Sequence, residues 1–174
     1  MHQAGGLCLS SPMRLSITVA CCAALTALSG SARAQDFRSG LSAYDSGDYT
    51  RAFHDWFDLA EQGDAKAEAG IGFLFHKGLG VARDDAEAAA WFIKAAEKGQ
   101  AEAQLLLGSL FFFGQGVPQS YVSAYAWCEI AETNGQSDAQ DCRDAALEHM
   151  SNAEMLQSFK LVTQWFGQHP RGGQ

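Results

Sequence analysis

Apolar residues in the middle of the chain recur at every fourth position, which places them on one face of a helix. Two runs show this spacing: Ala67, Ile71 and Phe75, and then Ala103, Leu107 and Phe111. Each run ends at a Gly-x-Gly-Val segment, where glycine allows the backbone to leave the helix with a positive φ. The pattern therefore predicts a helix, a tight break and a second helix in each segment.

The two segments are copies of one unit, because residues 65–100 align with residues 101–136 at an offset of 36 without a gap. Identical residues recur at these positions of the first unit: Ala65, Ala67, Gly72, Leu74, Phe75, Gly78, Gly80, Val81, Ala88, Trp91 and Gly99. The second helix of each unit begins near Asp84 or Ser120, both good N-caps, and ends at Gly99 or Gly135. A period in the mid-thirties is typical of helical hairpins that stack into a solenoid.

Amphipathic patterns on both sides of the repeats predict four more helices, over about 36–45, 48–62, 137–149 and 152–166. Ser151 and Glu154 form a capping-box pattern at the start of the last one. Eight helices in four antiparallel pairs follow, with irregular first and last pairs acting as caps. We expect a partial repeat over 35–64, repeats over 65–100 and 101–136, a capping repeat over 137–168 and a disordered tail over 169–174.

Gly72 and Gly108 lie inside predicted helices, where glycine costs about 1 kcal/mol relative to alanine. A close approach of the neighbouring helix would compensate, and we expect the indole of Trp91 or Trp127 to lie over the missing side chain.

The amino terminus has the three parts of a secretory signal peptide. Arg14 precedes an uncharged run from Leu15 to Leu28, and small residues lead to a cleavage site between Ala34 and Gln35. The apolar run is shorter than the roughly 20 residues of a membrane-spanning helix, so a retained anchor is the lesser alternative. Met13 is an alternative start. We expect residues 1–34 to be removed and the product to be periplasmic or secreted, without an integral membrane segment.

Removal of residues 1–34 would leave two cysteines, Cys128 and Cys142. Both lie seven residues from Gly135, so in an antiparallel hairpin they would sit at similar heights. An exported protein with an even number of cysteines is a candidate for a disulfide. Two separate buried thiols are the alternative.

Charge and motifs exclude several classes of function. Residues 35–174 contain 10 Lys or Arg against 20 Asp or Glu, a net charge of −10, which argues against a nucleic-acid partner. His54 and Asp58 share a helix face, but two ligands do not make a metal site, and metal-binding and serine-nucleophile motifs are missing from the sequence. We therefore expect no cofactor, no metal and no enzymatic activity.

The repeat unit resembles the Sel-one-like repeat family, a relative of the tetratricopeptide solenoids. The resemblance rests on Ile71-Gly72-x-x-Phe75-x-x-Gly78-x-Gly80-Val81 and on Ala88-x-x-Trp91-Phe92-x-Lys94-Ala95-Ala96-x-x-Gly99. The second unit departs modestly, with Cys128 at the second aromatic position and Ile130-Ala131-Glu132 in place of Lys-Ala-Ala. The resemblance implies an all-α, right-handed superhelical solenoid of about four hairpins that acts as an adaptor and carries no catalytic residues.

By analogy with tetratricopeptide solenoids, positions 2, 5, 9, 12 and 13 of each first helix line the inner, concave surface. These positions hold Lys66, Ala69, Phe73, His76 and Lys77, and then Glu102, Leu105, Ser109, Phe112 and Phe113. An exposed apolar patch usually marks an interaction site, so Phe73, Phe112 and Phe113 are candidate anchors for a partner segment. Alternatively, Phe112 and Phe113 are covered by the next hairpin or by the last helix.

The expected function is that of a monomeric scaffold or regulator which binds another protein or peptide of the bacterial cell envelope. A cell-wall (peptidoglycan) enzyme or glycan-binding protein is the alternative, and a purely structural domain is a third possibility.

Overall fold

The computed structural model describes residues 37–170, which contain eight α-helices and no strand. The predicted signal peptide and residues 171–174 lie outside the described residues. The helices are α1 (37–45), α2 (Tyr49–Glu61), α3 (Ala65–Lys77), α4 (Asp85–Glu97), α5 (Ala101–Phe113), α6 (Tyr121–Thr133), α7 (Ala139–Leu147) and α8 (Asn152–Gln168). The all-helical prediction is confirmed.

The start of each central helix is fixed by a side chain that caps free backbone N–H groups. The carboxylates of Asp64 and Asp84 each accept two such bonds, and the Ser120 hydroxyl accepts one. The first helix of each repeat ends at a left-handed glycine, Gly78 or Gly114, both with φ of 67°. Successive helices then pack side by side, α3 with α4 and α5 with α6, while α4 packs against α5 to join the two repeats.

The buried glycines allow the close helix approach that we expected, but a different residue occupies the space. A Cβ atom on Gly72 would lie 2.8 Å from the ring of Phe92, and one on Gly108 would lie 2.4 Å from Cys128 Sγ. The expectation that Trp91 or Trp127 fills this place is wrong, because the residue after each tryptophan does so.

The second glycine of each loop serves contact between repeats. A Cβ atom on Gly80 would lie 2.6 Å from the backbone of Tyr49, and one on Gly116 would lie 1.9 Å from the Asp85 carbonyl oxygen. Both glycines also have φ of 70°, which other residues rarely adopt. Each loop therefore presses its backbone onto the start of the second helix of the preceding unit.

A polar pair with one buried member joins the two helices of each repeat at the end opposite the loop. In the first repeat Lys98 Nζ lies 2.5 Å from the buried Glu68 carboxylate and also donates to the Gly63 carbonyl at 3.1 Å. In the second repeat, at equivalent positions, Asn134 Nδ2 donates to Gln104 Oε1 at 2.9 Å. Gln104 Nε2 in turn donates to the Ala96 carbonyl of the preceding repeat at 3.0 Å.

Helix α7 is attached to α6 by covalent and ionic bonds. Cys128 and Cys142 form the predicted disulfide, and Arg143 pairs with Glu132 and Glu129 of α6. Only Ala139 and Ala146 of α7 are buried. These bonds therefore supplement a small apolar contact.

The fourth pair of helices departs from the hairpin that the periodicity predicted. Helix α8 packs mainly against α6 rather than α7, through the fully buried Ser158. It covers a strip of α6 formed by Ser123, Ala126 and Ile130. It also continues to Gln168, two residues beyond the predicted end.

None of the helices in residues 37–170 is long and apolar enough to cross a membrane.

Candidate functional site

A groove of about 360 Å³ lies across α1, α3 and α5, the first helices of three consecutive units. We call it the α1–α3–α5 groove. Its lining residues are Phe37, Leu41, Tyr44, Trp56, Lys66, Ala69, Gly70, Phe73, Gln100, Glu102 and Leu106. Aromatic and aliphatic side chains therefore form most of the wall, and the charged groups are few.

Trp56 of α2 sets the depth of the groove. A Cβ atom on Gly70 would lie 2.8 Å from the Trp56 ring, and one on Gly40 would lie 2.4 Å from Trp56 Nε1, so the indole is enclosed by backbone on two sides. Trp56 Nε1 donates to the Phe37 carbonyl at 3.1 Å. The ring is therefore fixed in place and buried, and it supports the aromatic residues above it.

Tyr44 joins the aromatic wall of α1 to that of α3. Its ring centroid lies 5.9 Å from Trp56 and 6.1 Å, edge-on, from Phe73. Burial, and then the neighbouring Tyr49 and Asp45, raises the pKa of Tyr44 above its ordinary value, so the phenol is neutral at physiological pH. The Tyr44 hydroxyl has no hydrogen-bond partner within residues 37–170, which leaves its O–H available to solvent or to a bound group.

Charged side chains stand at the edges of the groove. Lys66 on α3 and Glu102 on α5 are both exposed and form no ion pair within the described part of the chain. Lys77, at the other end of α3, holds its Nζ 5.7 Å from the centroid of the Phe73 ring. The wall residue Leu41 is 43% exposed, so the groove is open to a ligand.

Four of the ten inner-face positions predicted from sequence line this groove, namely Lys66, Ala69, Phe73 and Glu102, and Lys77 borders it. Leu105 instead packs toward the disulfide, and the Ser109 hydroxyl donates to the Leu105 carbonyl at 3.1 Å.

His76 contacts Asp85 rather than the groove. Its Nδ1 lies 2.8 Å from Asp85 Oδ1, and Arg83 Nη2 donates to Asp85 Oδ2 at 2.8 Å. The hydrogen bond from Arg83, with a smaller contribution from His76, lowers the pKa of Asp85. This network ties the end of α3 to the start of α4.

Phe112 and Phe113 lie outside the groove. Phe112 is half-buried against the cluster of Ala124, Tyr125 and Ala146, whereas Phe113 is 65% exposed. The structure therefore separates the two phenylalanines from Phe73, with which they were predicted to share one patch.

The sequence-based assignment missed the contribution of α1 to the groove. Phe37, Leu41 and Tyr44 had a clear helical spacing, but the inner-face positions were counted only from the first residue of each full repeat. Leu106 was missed because it falls between two counted positions.

The described residues contain no group of three or more His, Cys, Asp or Glu side chains that could hold a metal ion. The groove itself holds one carboxylate, one ammonium and one phenol. Its lining is therefore suited to binding an apolar segment with a few polar groups.

The comparisons with known proteins agree with this architecture. The Sel1 repeat family model matches residues 65–100 and 101–136. The crystal structure of c5321, a protective antigen of uropathogenic Escherichia coli strains displaying an SLR fold, superposes with a TM-score of 0.74 at 24% identity, covering 82% of this chain. A Sel1 repeat protein from Oxalobacter formigenes superposes with a TM-score of 0.57 at 32% identity, covering 62% of this chain.

This chain spans only 33% of the first protein and 46% of the second. None of the curated proteins compared with the chain matches it.

Proposed function

Because residues 65–136 are two Sel1 repeats within an SLR fold, the chain is a Sel1-like helical repeat protein, and we propose that it is a non-enzymatic scaffold which binds a segment of another protein in the α1–α3–α5 groove. The observation that carries the proposal is an open groove with aromatic walls on a rigid helical support. Such apolar concave surfaces with a few polar groups are typical binding sites.

Rigidity of the groove supports the proposal. Helices α1 and α3 pack on the cluster that contains the buried Trp56. Helix α5 joins α3 through a second core cluster that contains Ala69 and Leu107. A preformed site loses little conformational entropy when a partner binds, so even a modest apolar contact can contribute net affinity. The function then requires only binding and no bond-making chemistry.

We also propose that the protein works outside the cytoplasm, in the periplasm or in the cell envelope. The signal-peptide pattern of residues 13–34 and the disulfide between α6 and α7 support this location. Mass spectrometry of the protein recovered from the periplasm should give an N-terminus at Gln35 and a non-reduced mass two hydrogens below the reduced mass. Recovery from the cytoplasm with an intact leader would contradict export.

Site-specific photo-crosslinking tests the groove. A photoreactive residue at Leu41 should capture a defined partner in cells, whereas the same residue at Phe113 should not. Both positions carry exposed apolar side chains, at 43% and 65%, so the comparison is matched for accessibility. Only Leu41 lines the groove.

A second substitution then assigns the capture to the groove. Leu106→Asp, introduced together with the Leu41 probe, should abolish capture while the helical circular dichroism spectrum is retained. Equal capture from Leu41 and Phe113, or capture that survives Leu106→Asp, would contradict the proposal. Crosslinking to a glycan strand would instead favour the cell-wall alternative.

A further inference from the structure

Several basic side chains of residues 37–170 already have a partner within the fold. Arg51 pairs with Asp55, Arg83 with Asp85, Lys98 with Glu68, and Arg143 with Glu129, Glu132 and Asp144, while Lys94 lies over the Trp91 ring. Arg38, Lys66, Lys77 and Lys160 have no carboxylate partner in this part of the chain. Of these, Lys66 and Lys77 share one helix. Both lie on α3, the central helix of the groove.

The two lysines lie on the same side of α3. They are eleven residues apart, which is close to three helical turns and about 16 Å along the axis. Phe73 lies between them, lines the groove and contacts Lys77 Nζ at 5.7 Å. Helix α3 therefore presents two ammonium groups without carboxylate partners, with an aromatic ring between them.

The charges of the remaining surface make this strip distinctive. The chain carries a net charge of −8, so an acidic partner is repelled by most of the surface. At physiological ionic strength that repulsion is screened beyond about 8 Å, and the local ammonium groups dominate within the groove. Glu102 is the only carboxylate among the lining residues, and it stands on α5 rather than α3. It would direct the carboxylates of an occupant toward α3.

We propose that the occupant of the α1–α3–α5 groove is an acidic protein segment that runs along α3. It places an apolar side chain against Tyr44 and Phe73, and carboxylates on either side of that side chain against Lys66 and Lys77. An extended segment of seven residues spans about 23 Å, which is enough to reach both lysines. This inference rests on the proposed groove function and adds the chemistry of the partner.

Fluorescence anisotropy with three labelled heptapeptides tests the proposal on the protein comprising residues 35–174. Each peptide has a central Phe, flanked on each side by three Asp, three Lys or three Ser residues. The Asp peptide should bind at least tenfold more tightly than the Lys peptide, with the Ser peptide between them. Affinity for the Asp peptide should decrease as salt is raised from 50 to about 500 mM.

Charge-reversal variants assign the preference to α3. Lys66→Glu and Lys77→Glu should each weaken Asp-peptide binding by about three- to tenfold, and Glu102→Gln should strengthen it by about two- to threefold. Lys160→Glu is the matched control, because Lys160 is also exposed and has no carboxylate partner but belongs to α8. It should leave the affinity unchanged. Thermal melts of all four variants check that they are folded.

The outcomes separate the two proposals. Preference for the Lys peptide, equal binding of all three peptides, or an effect of Lys160→Glu equal to that of Lys66→Glu would overturn the acidic-segment proposal while leaving the groove function in place. Binding of none of the peptides, together with failure of Leu41 to crosslink, would overturn both.

Discussion

The rings of Phe112 and Tyr121 lie 5.4 Å apart, at the positions that His76 and Asp85 occupy one repeat earlier. The same place in the hairpin thus holds a hydrogen-bonded His–Asp pair in one unit and an aromatic pair in the next. The difference follows from the part of the chain that covers each pair. The Asp85 backbone is covered by the glycine loop of the next repeat, whereas Tyr121 is covered by His149, whose ring stacks on it at 4.6 Å.

Phe112 and Phe113 should therefore behave differently when truncated. Phe112→Ala removes a half-buried ring that contacts Tyr121 and His149, and we expect it to lower the free energy of unfolding by about 2–3 kcal/mol. Phe113→Ala removes a side chain that is 65% exposed and should change it by less than about 1 kcal/mol. Urea denaturation followed by circular dichroism measures both. Equal losses would mean that Phe113 belongs to the core.

The ion pair of Asp85 predicts a pH-dependent contribution to stability. Because Arg83 and His76 lower the pKa of Asp85, its contribution is complete above the ordinary aspartate pKa and is lost as pH falls through the lower value of the folded protein. Asp85→Asn should therefore lower the free energy of unfolding by about 1 kcal/mol at pH 6. This difference from the unmodified protein should shrink progressively below pH ~4.

Asp58→Asn is the matched control, since the Asp58 carboxylate is exposed and has no ion-pair partner within residues 37–170. Chemical denaturation at several pH values between 2 and 7 provides the measurement. A cost for Asp85→Asn that stays constant down to the lowest pH would contradict the assigned ion pair.

The contact between Gly108 and the disulfide predicts a coupled effect. Alanine is the better helix former by about 1 kcal/mol, but a Cβ atom at position 108 would lie 2.4 Å from Cys128 Sγ. Gly108→Ala should therefore lower the free energy of unfolding by a net ~1–2 kcal/mol. In a protein that also carries Cys128→Ala and Cys142→Ala, Gly108→Ala should lower the free energy of unfolding much less, because Cys128 Sγ is no longer present.

Gly167→Ala in α8 is the control for helix propensity, since no atom lies within 4 Å of the added Cβ position. It should leave stability unchanged or raise it by up to about 1 kcal/mol. Thermal and urea unfolding of the four variants would show the coupling. An identical cost for Gly108→Ala with and without the disulfide would place the strain elsewhere.

The packing of α8 on α6 predicts that Ile130 is intolerant of charge. Ile130 is buried beneath α8, whereas its equivalent in the preceding repeat, Lys94, is exposed. Ile130→Lys should cost at least ~3 kcal/mol or release α8, because the ammonium group would be buried without a partner. Limited proteolysis should then cut near the α7–α8 turn. Lys94→Ile, the reverse change on α4, should alter stability by less than about 1 kcal/mol and leave the turn resistant.

Much of the fold could be predicted from the repeat. The four helices α3–α6 follow from the offset of 36 residues, because the helix-ending glycines recur in both units and the second helices begin at good N-cap residues, Asp84 and Ser120. The disulfide followed from the equal spacing of Cys128 and Cys142 about Gly135, together with the predicted export. The helix predictions depend on contacts within a unit, which periodicity reports directly, whereas the disulfide joins the second repeat to the capping repeat.

The position of α8 could not be predicted from its own amphipathic pattern, because a helix with one apolar stripe can pack on several neighbours. The signal lay instead on α6. Glu87 and Lys94 on the exposed face of α4 become Ser123 and Ile130 on α6, a loss of charge that indicates a covered surface.

The groove was only partly predicted for a related reason. Counting from the start of each full repeat identified Lys66, Ala69, Phe73 and Glu102, but α1 belongs to an irregular unit with no counterpart to count from. Its wall residues are contributed by long-range packing on Trp56, and no local pattern reports that contact.

The polar pairs and the glycine loops together make the repeat a self-contained evolutionary module. Glu68 and Lys98 lie in one unit, and Gln104 and Asn134 lie in the next, so each matched pair would be inherited together when a unit is duplicated. The junctions formed by Gly116, Lys98 Nζ and Gln104 Nε2 contact backbone atoms of the neighbouring unit, which are the same whatever the neighbour's side chains are. A whole unit could therefore be gained or lost by recombination without compensating substitutions at these junctions, and the length of the array is free to vary between descendants.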